Sequence, residues 1–406
     1  MPTLDEARRM ILGHTRTFGT EPVELIDSLN LVIAEDIVAP WDMPMCDNSA
    51  MDGYAVRAAD CAHAASLRVT GLLAAGGSPG GPVEPGCAVK IMTGARIPTG
   101  ADTVVPFEDA EMCGTYVTFN AAVRRHQNVR FAASDLHRGE LVIAAGTVIR
   151  APEISMMASF SRKCVTVFRR PRVAILSTGD ELVVIGEPVE PGKIVDSNGV
   201  SLAVIVRECG AVPQLLGIAR DTVASHVEKM NMGLQADIFI TSAGVSVGER
   251  DLVRKVLGDL GVTQVFHSVE VRPGGPTTFG VKDGCLVFCL PGNPVASMII
   301  FAELVKPAIL KAMGYRRILP PSVPAILQEN VSKRSGRVKL LRVRLESSGG
   351  KLLAFSAGDQ STGMLKTLMR ADGLAILPAA RDSLQAGEEV EVHVMSSNAL
   401  MQEEER

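Results

Sequence analysis

VAILSTGDE, residues 173–181, is the stretch that decides the fold. Four apolar residues lead directly into small polar residues, without alternation of apolar and polar positions. A short, fully apolar run of this kind indicates a strand buried on both faces, as in a parallel sheet covered by helices. In such sheets, ligands bind beyond the carboxyl ends of the strands. The stretch therefore predicts an α/β domain with a polar site at one sheet edge.

Two more apolar runs have the same form, DIFIT at 237–241 and LVFCL at 286–290. Helical spacing of apolar residues separates and follows them, which is the alternation expected of an α/β domain. The spacing predicts a helix from Asn198 to Cys209, capped by Ser197 or Asn198. It also predicts a helix that begins near Leu252 and one from Pro294 to about Met313.

In the rest of the chain, the apolar residues follow other spacings. Apolar spacing at the start predicts a helix over 4–14, a second helix over 23–29 and a strand over 31–38. From about 46 to 133, glycine and proline recur between short β-rich pieces at 67–72, 88–92 and 116–119, which indicates a small β domain. After Pro320 and Pro321 the period is two, with strands predicted at 338–345, 352–355, 374–377 and 389–394.

The composition of the chain argues against several classes of protein. The chain has 406 residues, 41 basic and 45 acidic side chains and a formal net charge of −4, which argues against a general nucleic-acid binder. No stretch approaches the roughly 20 apolar residues of a membrane span, and the first residues lack a signal-peptide pattern. Eight cysteines without a Cys-x-x-Cys pair are typical of free thiols. We expect a cytoplasmic protein, without membrane or nucleic-acid partners.

Small polar segments follow each of the three apolar runs, at 177–181, 241–251 and 290–294. The second and third open helices, where exposed N–H groups and the helix dipole favour phosphate or another oxyanion. Neither a Walker phosphate loop nor Gly-x-Gly-x-x-Gly is present, so the chain is not an obvious kinase or dehydrogenase. For any one loop, an ordinary βα turn or helix cap is the favoured interpretation, whereas three such loops at one sheet edge favour a binding site.

Carboxylates in these segments suggest a metal. Asp180, Glu181 and Asp251 could hold Mg²⁺ against a bound anion. Alternatively, a carboxylate could bind the edge of a guanidine-like heterocycle through paired hydrogen bonds. The sequence alone leaves both interpretations open.

Two polar turns stand out in the β-rich region. DNSAMDGYAV at 47–56 places two carboxylates five residues apart among small residues, and TGARIPTGAD at 93–102 is a second tight turn. Solvated turns with Asx hydrogen bonds would account for them equally well.

Taken together, these segments resemble the molybdopterin molybdenumtransferase family, which includes bacterial MoeA and the E domain of gephyrin. The combination of DNSAMDGYA, GVSVG and LPGNP is highly specific. The matching stretches run in family order at 47–56, 91–109, 175–183, 195–202, 237–251, 272–280 and 290–314.

The resemblance implies a fold and a reaction. Family members insert molybdenum from molybdate into adenylylated molybdopterin and release AMP, with Mg²⁺ assisting. They are homodimers of multidomain α/β plus β chains, in which residues of both subunits form the cleft. The implied domains are a split N-terminal linker at 1–45 and 137–171, a β-rich insertion at 46–136, a mostly parallel α/β domain of molybdopterin-binding type at 172–318 and a C-terminal β domain at 319–406. Molybdopterin adenylyltransferase and molybdoenzyme maturation factors are the implied partners.

The resemblance also implies site residues. The catalytic positions are Asp52, Asp109, Asp135, Glu181, Asp221 and Asp251. The positions that bind the substrates are Thr93, Thr178, Gly179, Ser242, Gly244, Ser246, Gly248, Arg272, Pro276, Pro291, Gly292, Pro294, Arg342 and Ser361. Asp180, Glu181 and Asp251 are the implied metal ligands. Arg272 and Pro276 belong to the molybdate-side loop, and Arg342 and Ser361 are donors from the C-terminal domain.

Several positions depart from the family pattern. Gly275 stands where bacterial members usually carry lysine, and Ser268 where a basic residue is usual. Ala243 replaces a glycine, Ala296 replaces a serine, and Ala-Ser-Asp at 133–135 replaces Gly-Glu-Asp. Each lost cation could weaken oxyanion binding by about 1–3 kcal/mol. Two alternatives therefore stay open, a diverged paralogue that inserts metal poorly and a dimeric interaction scaffold.

Overall fold

The computed structural model describes residues 1–61, 65–242, 252–333 and 336–395. The chain divides into two compact units. The first comprises Met1–Glu35, Gly146–Ile154 and the chain from Lys163 onward, and the second comprises Asp36–Ala145 and Ser155–Arg162. In these ranges, no helix combines the length and apolar character needed to cross a bilayer. The four-domain division expected from the sequence stays a prediction.

Side-chain capping marks the start of two helices of the first unit. Thr3 and Glu6 form a capping box at the first helix, and the carboxylate of Asp196 accepts the Gly199 N–H at the third. The predicted cap at Ser197 or Asn198 is therefore wrong, because Asp196 takes that position. The helices of the described ranges are α1 Leu4–His14, α2 Ala151–Ser159, α3 Ser197–Glu208, α4 Val223–Gly233, α5 Leu252–Asp259, α6 Pro294–Ile300, α7 Lys306–Ala312 and α8 Leu365–Met369.

Strands make up most of the remaining regular structure. They are β1 Thr20–Glu24, β2 Ile37–Val38, β3 Asn48–Ser49, β4 Gly53–Val56, β5 Leu67–Leu73, β6 Cys87–Ile91, β7 Thr103–Pro106, β8 Ala110–Cys113, β9 Tyr116–Phe119, β10 Val129–Arg130, β11 Leu141–Ile143, β12 Cys164–Phe168, β13 Arg172–Thr178, β14 Leu182–Val183, β15 Ile194–Val195, β16 Val212–Ala219, β17 Ile238–Ser242, β18 Thr263–Phe266, β19 Val271–Arg272, β20 Thr278–Lys282, β21 Cys285–Leu290, β22 Ser322–Leu327, β23 Val331–Ser332, β24 Val338–Ser348, β25 Lys351–Ser356, β26 Gly373–Leu377, β27 Ser383–Leu384 and β28 Glu389–Val394.

Two predictions near the N-terminus are wrong. Residues 23 and 24 of the predicted helix over 23–29 end β1, which pairs antiparallel with β12, and a 3₁₀ turn at Leu25–Asp27 follows. Alternating burial along β1 shows that a period of two prevails there. The predicted strand over 31–38 is reduced to β2 and isolated bridges at Val32 and Ile33.

The α/β sheet of the first unit has strand order β16-β13-β17-β21-β20-β18. The first four strands are parallel and the last two antiparallel, which confirms the expected mostly parallel sheet. Ser177 lies opposite Ser242, which lies opposite Leu290, so three strand ends meet at one edge. Phe239 and Leu176 are fully buried in the core between this sheet and its helices.

The C-terminal sheet closes on itself. Strands β24, β25, β22, β28 and β26 pair in sequence, and β26 also pairs with β24. A closed sheet leaves no free edge among these five strands. The short strand β19 joins this barrel from the α/β region, because Arg272 pairs in parallel with Lys339.

The second unit is built on a six-stranded sheet of order β7-β4-β6-β5-β9-β8. Gly53 begins β4, and a Cβ there would lie 2.0 Å from the carbonyl oxygen of Val105 on the neighbouring strand. Only glycine allows that approach. The close pairing fixes the turn at Asp52, which immediately precedes this glycine.

A buried ionic cluster joins three segments of the first unit. Glu303 is 0% exposed and lies in a π-helical turn, Phe301–Val305, that interrupts the single helix predicted from Pro294 to Met313. Its carboxylate accepts from Arg8 of α1 and lies 3.0 Å from Nδ1 of His393 in β28. Paired in this way, the buried charges hold α1 and the barrel against the helix.

Two helical glycines of the α/β region should respond oppositely to alanine. A Cβ on Gly233 would lie 2.3 Å from the ring of Phe239, whereas nothing lies within 4 Å of a Cβ on Gly258. We expect Gly233→Ala to lower the free energy of unfolding by about 1–3 kcal/mol through overpacking. Gly258→Ala should raise it by about 0.5–1 kcal/mol through helix propensity. Urea unfolding of both variants checks this, and wild-type stability of Gly233→Ala would contradict the described core.

Candidate active site

The amide of Asn198 joins two strand ends at the carboxyl edge of the α/β sheet. Its Nδ2 donates to Ser242 Oγ over 2.6 Å and to the carbonyl of Gly292 over 2.8 Å. Thr178 Oγ1 donates to the carbonyl of Ser242 over 3.4 Å, which adds the end of β13. Asn198 is 8% exposed and Ser242 2%. Asn198, which was not a predicted site residue, therefore joins the predicted Ser242 and Gly292, and the predicted Thr178 is joined to them through Ser242.

Buried acceptors beside this amide have no partner among the described residues. They are Asn198 Oδ1 and Asn293 Oδ1. A buried polar atom without a hydrogen bond costs about 1–3 kcal/mol. An uncharged acceptor pair at a sheet edge suits a ligand that carries N–H groups, such as a heterocycle.

Asp196 organises the start of α3. Its Oδ1 accepts from Ser177 Oγ over 2.8 Å and from the N–H of Gly199 over 3.0 Å. A Cβ on Gly199 would lie 2.7 Å from Asp196 Oδ2, so a larger residue would push this carboxylate away. The motif Asp-Ser-Asn-Gly after a short strand is the sequence signal that could have identified Asp196 and Asn198.

Acidic residues cluster on the turns that follow β13 and β16. The N–H of Asp221 donates to Asp180 Oδ1 over 3.1 Å, and the N–H of Asp180 donates to Asp221 Oδ2 over 3.4 Å. Lys193 Nζ donates to the carbonyl of Asp180 over 2.7 Å. Asp180, Lys193 and Arg220 line an open cavity of ≈ 550 Å³. The sequence-predicted Asp180 and Asp221 therefore lie together.

Gly179 permits the close approach of Glu181. Its φ is +139°, and a Cβ there would lie 2.4 Å from Glu181 Oε2. Both the conformation and the space require glycine. The turn thus holds the carboxylate of the predicted residue Glu181 directly against the backbone of Gly179.

The predicted metal site is only partly within the described residues. Asp251, together with Gly244, Ser246 and Gly248, lies outside them, as does the departure at Ala243. Within the described ranges, no group of three His, Cys, Asp or Glu side chains is placed to hold a metal ion. Magnesium at Asp180 and Glu181 stays a prediction.

The remaining predicted residues of the α/β region lie on two loops. Pro291 is buried directly after β21, and Pro294 opens α6 in the first-turn position that proline favours. Arg272 and Pro276 are exposed at either side of a buried glycine pair.

Arg342 is 1% exposed, within the C-terminal barrel. Its Nη2 donates to the carbonyls of Asp359 over 2.9 Å and Ser361 over 3.1 Å, and its buried Nε has no partner among the described residues. Burial lowers the pKa of this guanidinium. Arg342 thus fixes the loop that carries Ser361.

The second unit brings two predicted residues together. Asp52 Oδ1 accepts from the N–H of Thr93 over 2.7 Å and from its Oγ1 over 2.9 Å. These bonds, the backbone bond first, hold the pKa of Asp52 below its ordinary value. Asp109 ends a 3₁₀ turn and Asp135 follows β10. In the described part of the chain, neither shares a hydrogen bond with Asp52.

Removing the Thr93 hydroxyl should raise the pKa of Asp52 towards its ordinary value. The rise in Thr93→Val should be partial, because the backbone N–H remains. Since the pKa is lowered in the folded state, these bonds stabilise the fold above the ordinary carboxyl pKa and are lost as the pH falls. Carboxyl ¹³C NMR titration measures the change, with Asp102 as an internal control. An unchanged Asp52 titration would rule out the hydroxyl bond.

Three family models match consecutive parts of the chain. The MoeA N-terminal region, domains I and II, matches residues 2–161, and a probable molybdopterin binding domain matches 174–311. The MoeA C-terminal region, domain IV, matches 324–395. Each of the loops described above falls inside one of these matches.

Relatives from other organisms are similar to this chain over most of its length. A molybdopterin molybdenumtransferase of Haemophilus influenzae is 34% identical, over 97% of this chain and 98% of its own. One from Nostoc is 36% identical, over 91% and 88%. Among solved structures, a molybdopterin biosynthesis moeA protein of Pyrococcus horikoshii superimposes with a TM-score of 0.84 at 32% identity, covering 97% of this chain and 98% of that one.

Proposed function

Because the chain belongs to the molybdopterin molybdenumtransferase family, we infer that it inserts molybdenum from molybdate into adenylylated molybdopterin and releases AMP. It is a transferase of molybdenum cofactor biosynthesis. The full-length matches do not favour a poorly inserting paralogue or an interaction scaffold. The finer assignments below are our proposals.

The observation that carries the substrate proposal is the polar edge around Asn198. One amide hydrogen-bonds to Ser242 and to Gly292, while its own Oδ1 and that of Asn293 are buried without partners in the described chain. A pterin carries ring and exocyclic N–H groups that would donate to these two oxygens. Because hydrogen bonds to Ser242 and Gly292 hold the Asn198 amide in place, little conformational entropy of that side chain would be lost on binding.

We propose that Asp180, Glu181 and Asp221 serve the adenylyl phosphate. Magnesium in proteins is usually bound by one or two carboxylates together with substrate phosphate, and the paired turns of Asp180 and Asp221 offer such carboxylates beside an open cavity. When bound, Mg²⁺ would neutralise charge on the phosphate. Lys193 holds the backbone of Asp180 in place, and Arg220 donates to the carbonyl of Leu182 over 2.9 Å, which keeps the turn fixed.

Molybdate is a dianion and requires donors. Arg272 is exposed at the end of β19, and Ser361 lies on the loop that the buried Arg342 holds. We propose that Arg272 binds the oxyanion and that Arg342 positions Ser361 for the same task.

A homodimer in the cytoplasm is the proposed working form, with molybdopterin adenylyltransferase and molybdoenzyme maturation factors as candidate partners. Exposed apolar side chains on successive turns of α3, Val200 at 44% and Val204 at 46%, support a protein interface. All eight cysteines are free thiols, as expected in a reducing compartment.

Molybdate-dependent release of AMP from adenylylated molybdopterin tests the function. We expect the wild-type chain to release AMP, and Asn198→Ala to lower kcat/KM by roughly ten- to a hundredfold, because the cost of one buried hydrogen-bonding group converts to that factor. Arg207→Gln, at an exposed position of the same helix, is the matched control and should leave kcat/KM unchanged. Absence of AMP release by the wild type at saturating molybdate would refute the proposal.

Mixing two inactive variants tests whether both subunits contribute to one site. Asp52→Asn and Glu181→Gln should each lose most activity as homodimers. After unfolding and joint refolding, half of the dimers carry both variants and have one intact site of two, so about a quarter of wild-type activity should return. Light scattering verifies the dimer, and no recovery in a verified mixed dimer would show that Asp52 and Glu181 act within one subunit.

A further inference from the structure

Two methionine sulfurs lie beside one serine hydroxyl in the second unit. Met43 lies in the segment before β3, and Met156 lies on α2, which ends at Ser159. The Sδ atom of Met43 is 3.9 Å from Oγ of Ser159, and the Sδ atom of Met156 is 3.8 Å from the same oxygen. Both methionines are half-buried and Ser159 is exposed. A small ion from solvent can therefore reach the hydroxyl around which the two sulfurs lie.

The hydroxyl of Ser159 leaves the lone pairs of both sulfurs available. A serine hydroxyl has one proton to donate, and a thioether is only a weak acceptor. Oγ of Ser159 lies 2.7 Å from the carbonyl oxygen of Met156, which is a much better acceptor at a much shorter distance. The proton therefore goes to that carbonyl, and each sulfur keeps its electron pairs for another partner.

The backbone around the two sulfurs is held in place. The N–H of Met43 donates to the carbonyl of Leu136 over 2.8 Å, and the carbonyl of Met43 accepts from the N–H of Leu136 over 3.1 Å. The ring of Trp41 packs edge-on against Phe160, with the ring centroids 6.4 Å apart. Phe160 is buried and directly follows Ser159. Met43 and Met156 thus extend from fixed backbone beside an aromatic pair.

We propose that Met43 and Met156 bind Cu(I), a soft monovalent cation, beside the Ser159 hydroxyl. Thioether sulfur selects Cu(I), whereas Mg²⁺ and Ca²⁺ are bound by oxygen. Cu(I) has a filled d shell and imposes no fixed geometry, so two flexible methionine side chains can close around it. This inference is independent of the proposed function, because neither methionine is among the residues assigned to the substrates.

An anaerobic Cu(I) titration of the full-length chain, with bicinchoninate as the competing chelator, tests this site. Trp41 is the only tryptophan of the chain and lies two residues from Met43, so a bound Cu(I) should quench its fluorescence. Thiolates also bind Cu(I). The titration therefore uses a background in which serine replaces the four cysteines that are not buried, Cys46, Cys61, Cys113 and Cys164. We expect one ion per chain, and binding without quenching would overturn the site.

Leucine variants test the two ligands. Met43→Leu and Met156→Leu each remove a sulfur at nearly constant volume. We expect each to weaken Cu(I) binding at least roughly tenfold, since even the loss of a residue that only supports a metal ligand has an effect of that size. Met112→Leu, which removes an exposed methionine from β8 of the same unit, is the matched control. Unchanged affinity in both ligand variants would overturn the proposal and show that Met43 and Met156 only fill space.

Two further measurements do not depend on the folding of the variants. X-ray absorption of the Cu(I)-loaded background protein should show sulfur in the first shell, and a shell of oxygen and nitrogen alone would contradict the site. Binding should persist at mildly acidic pH, because a thioether has no proton to lose, whereas binding by the remaining cysteines would weaken. Zn²⁺ binding as tight as that of Cu(I), lost in the same leucine variants, would overturn the assignment to a soft cation.

Discussion

The site depends on a constraint imposed by the parallel sheet. With Ser177, Ser242 and Leu290 in register, the chain must turn at one edge three times, and each turn exposes polar backbone that needs a partner. The amide of Asn198 donates to the backbone carbonyl of Gly292 in one turn and to the side-chain hydroxyl of Ser242 at the end of β17. An apolar residue there would leave both without this donor. The same amide presents its own oxygen, so the interaction that fixes the strand ends also prepares the binding surface.

Charge is distributed unevenly over the first unit. Carboxylates and neutral acceptors collect at the sheet edge, where Asp180 and Asp221 hold each other's backbone N–H groups. Cations collect where the two-residue strand β19 leaves the α/β region and pairs with the barrel. At the sheet edge itself, Lys193 and Arg220 line the same cavity as Asp180, so cations and carboxylates meet there. The ionic cluster of Glu303, Arg8 and His393 secures the barrel that carries part of the positive charge.

The α/β core could be predicted from sequence because fully apolar strands are local signals, as at Val173–Leu176. The exact start of a helix could not be predicted where several neighbouring residues are each able to cap it. Asp196, Ser197 and Asn198 are all good caps, and only the backbone decides that Asp196 accepts the Gly199 N–H. The predicted helix over 23–29 is wrong because Val23 and Glu24 pair with a strand about 140 residues away, which the local spacing does not show.

The candidate site was predictable only in part, because sequence motifs name residues but not the contacts between them. Resemblance named Asp52 and Thr93, but the hydrogen bond across 41 residues that lowers the pKa of Asp52 follows from the fold alone. Arg342 was expected to face an oxyanion, whereas two of its hydrogen bonds go to loop carbonyls. Asn198 was missed because a polar residue in a first helical turn has an ordinary explanation in capping.

The most direct measurement of the central claim is a crystal structure with adenylylated molybdopterin bound. The account predicts pterin N–H groups within hydrogen-bond distance of Asn198 Oδ1 at the start of α3 or of Asn293 Oδ1 in the loop after β21. A pterin bound elsewhere, with both oxygens still without a partner, would contradict it.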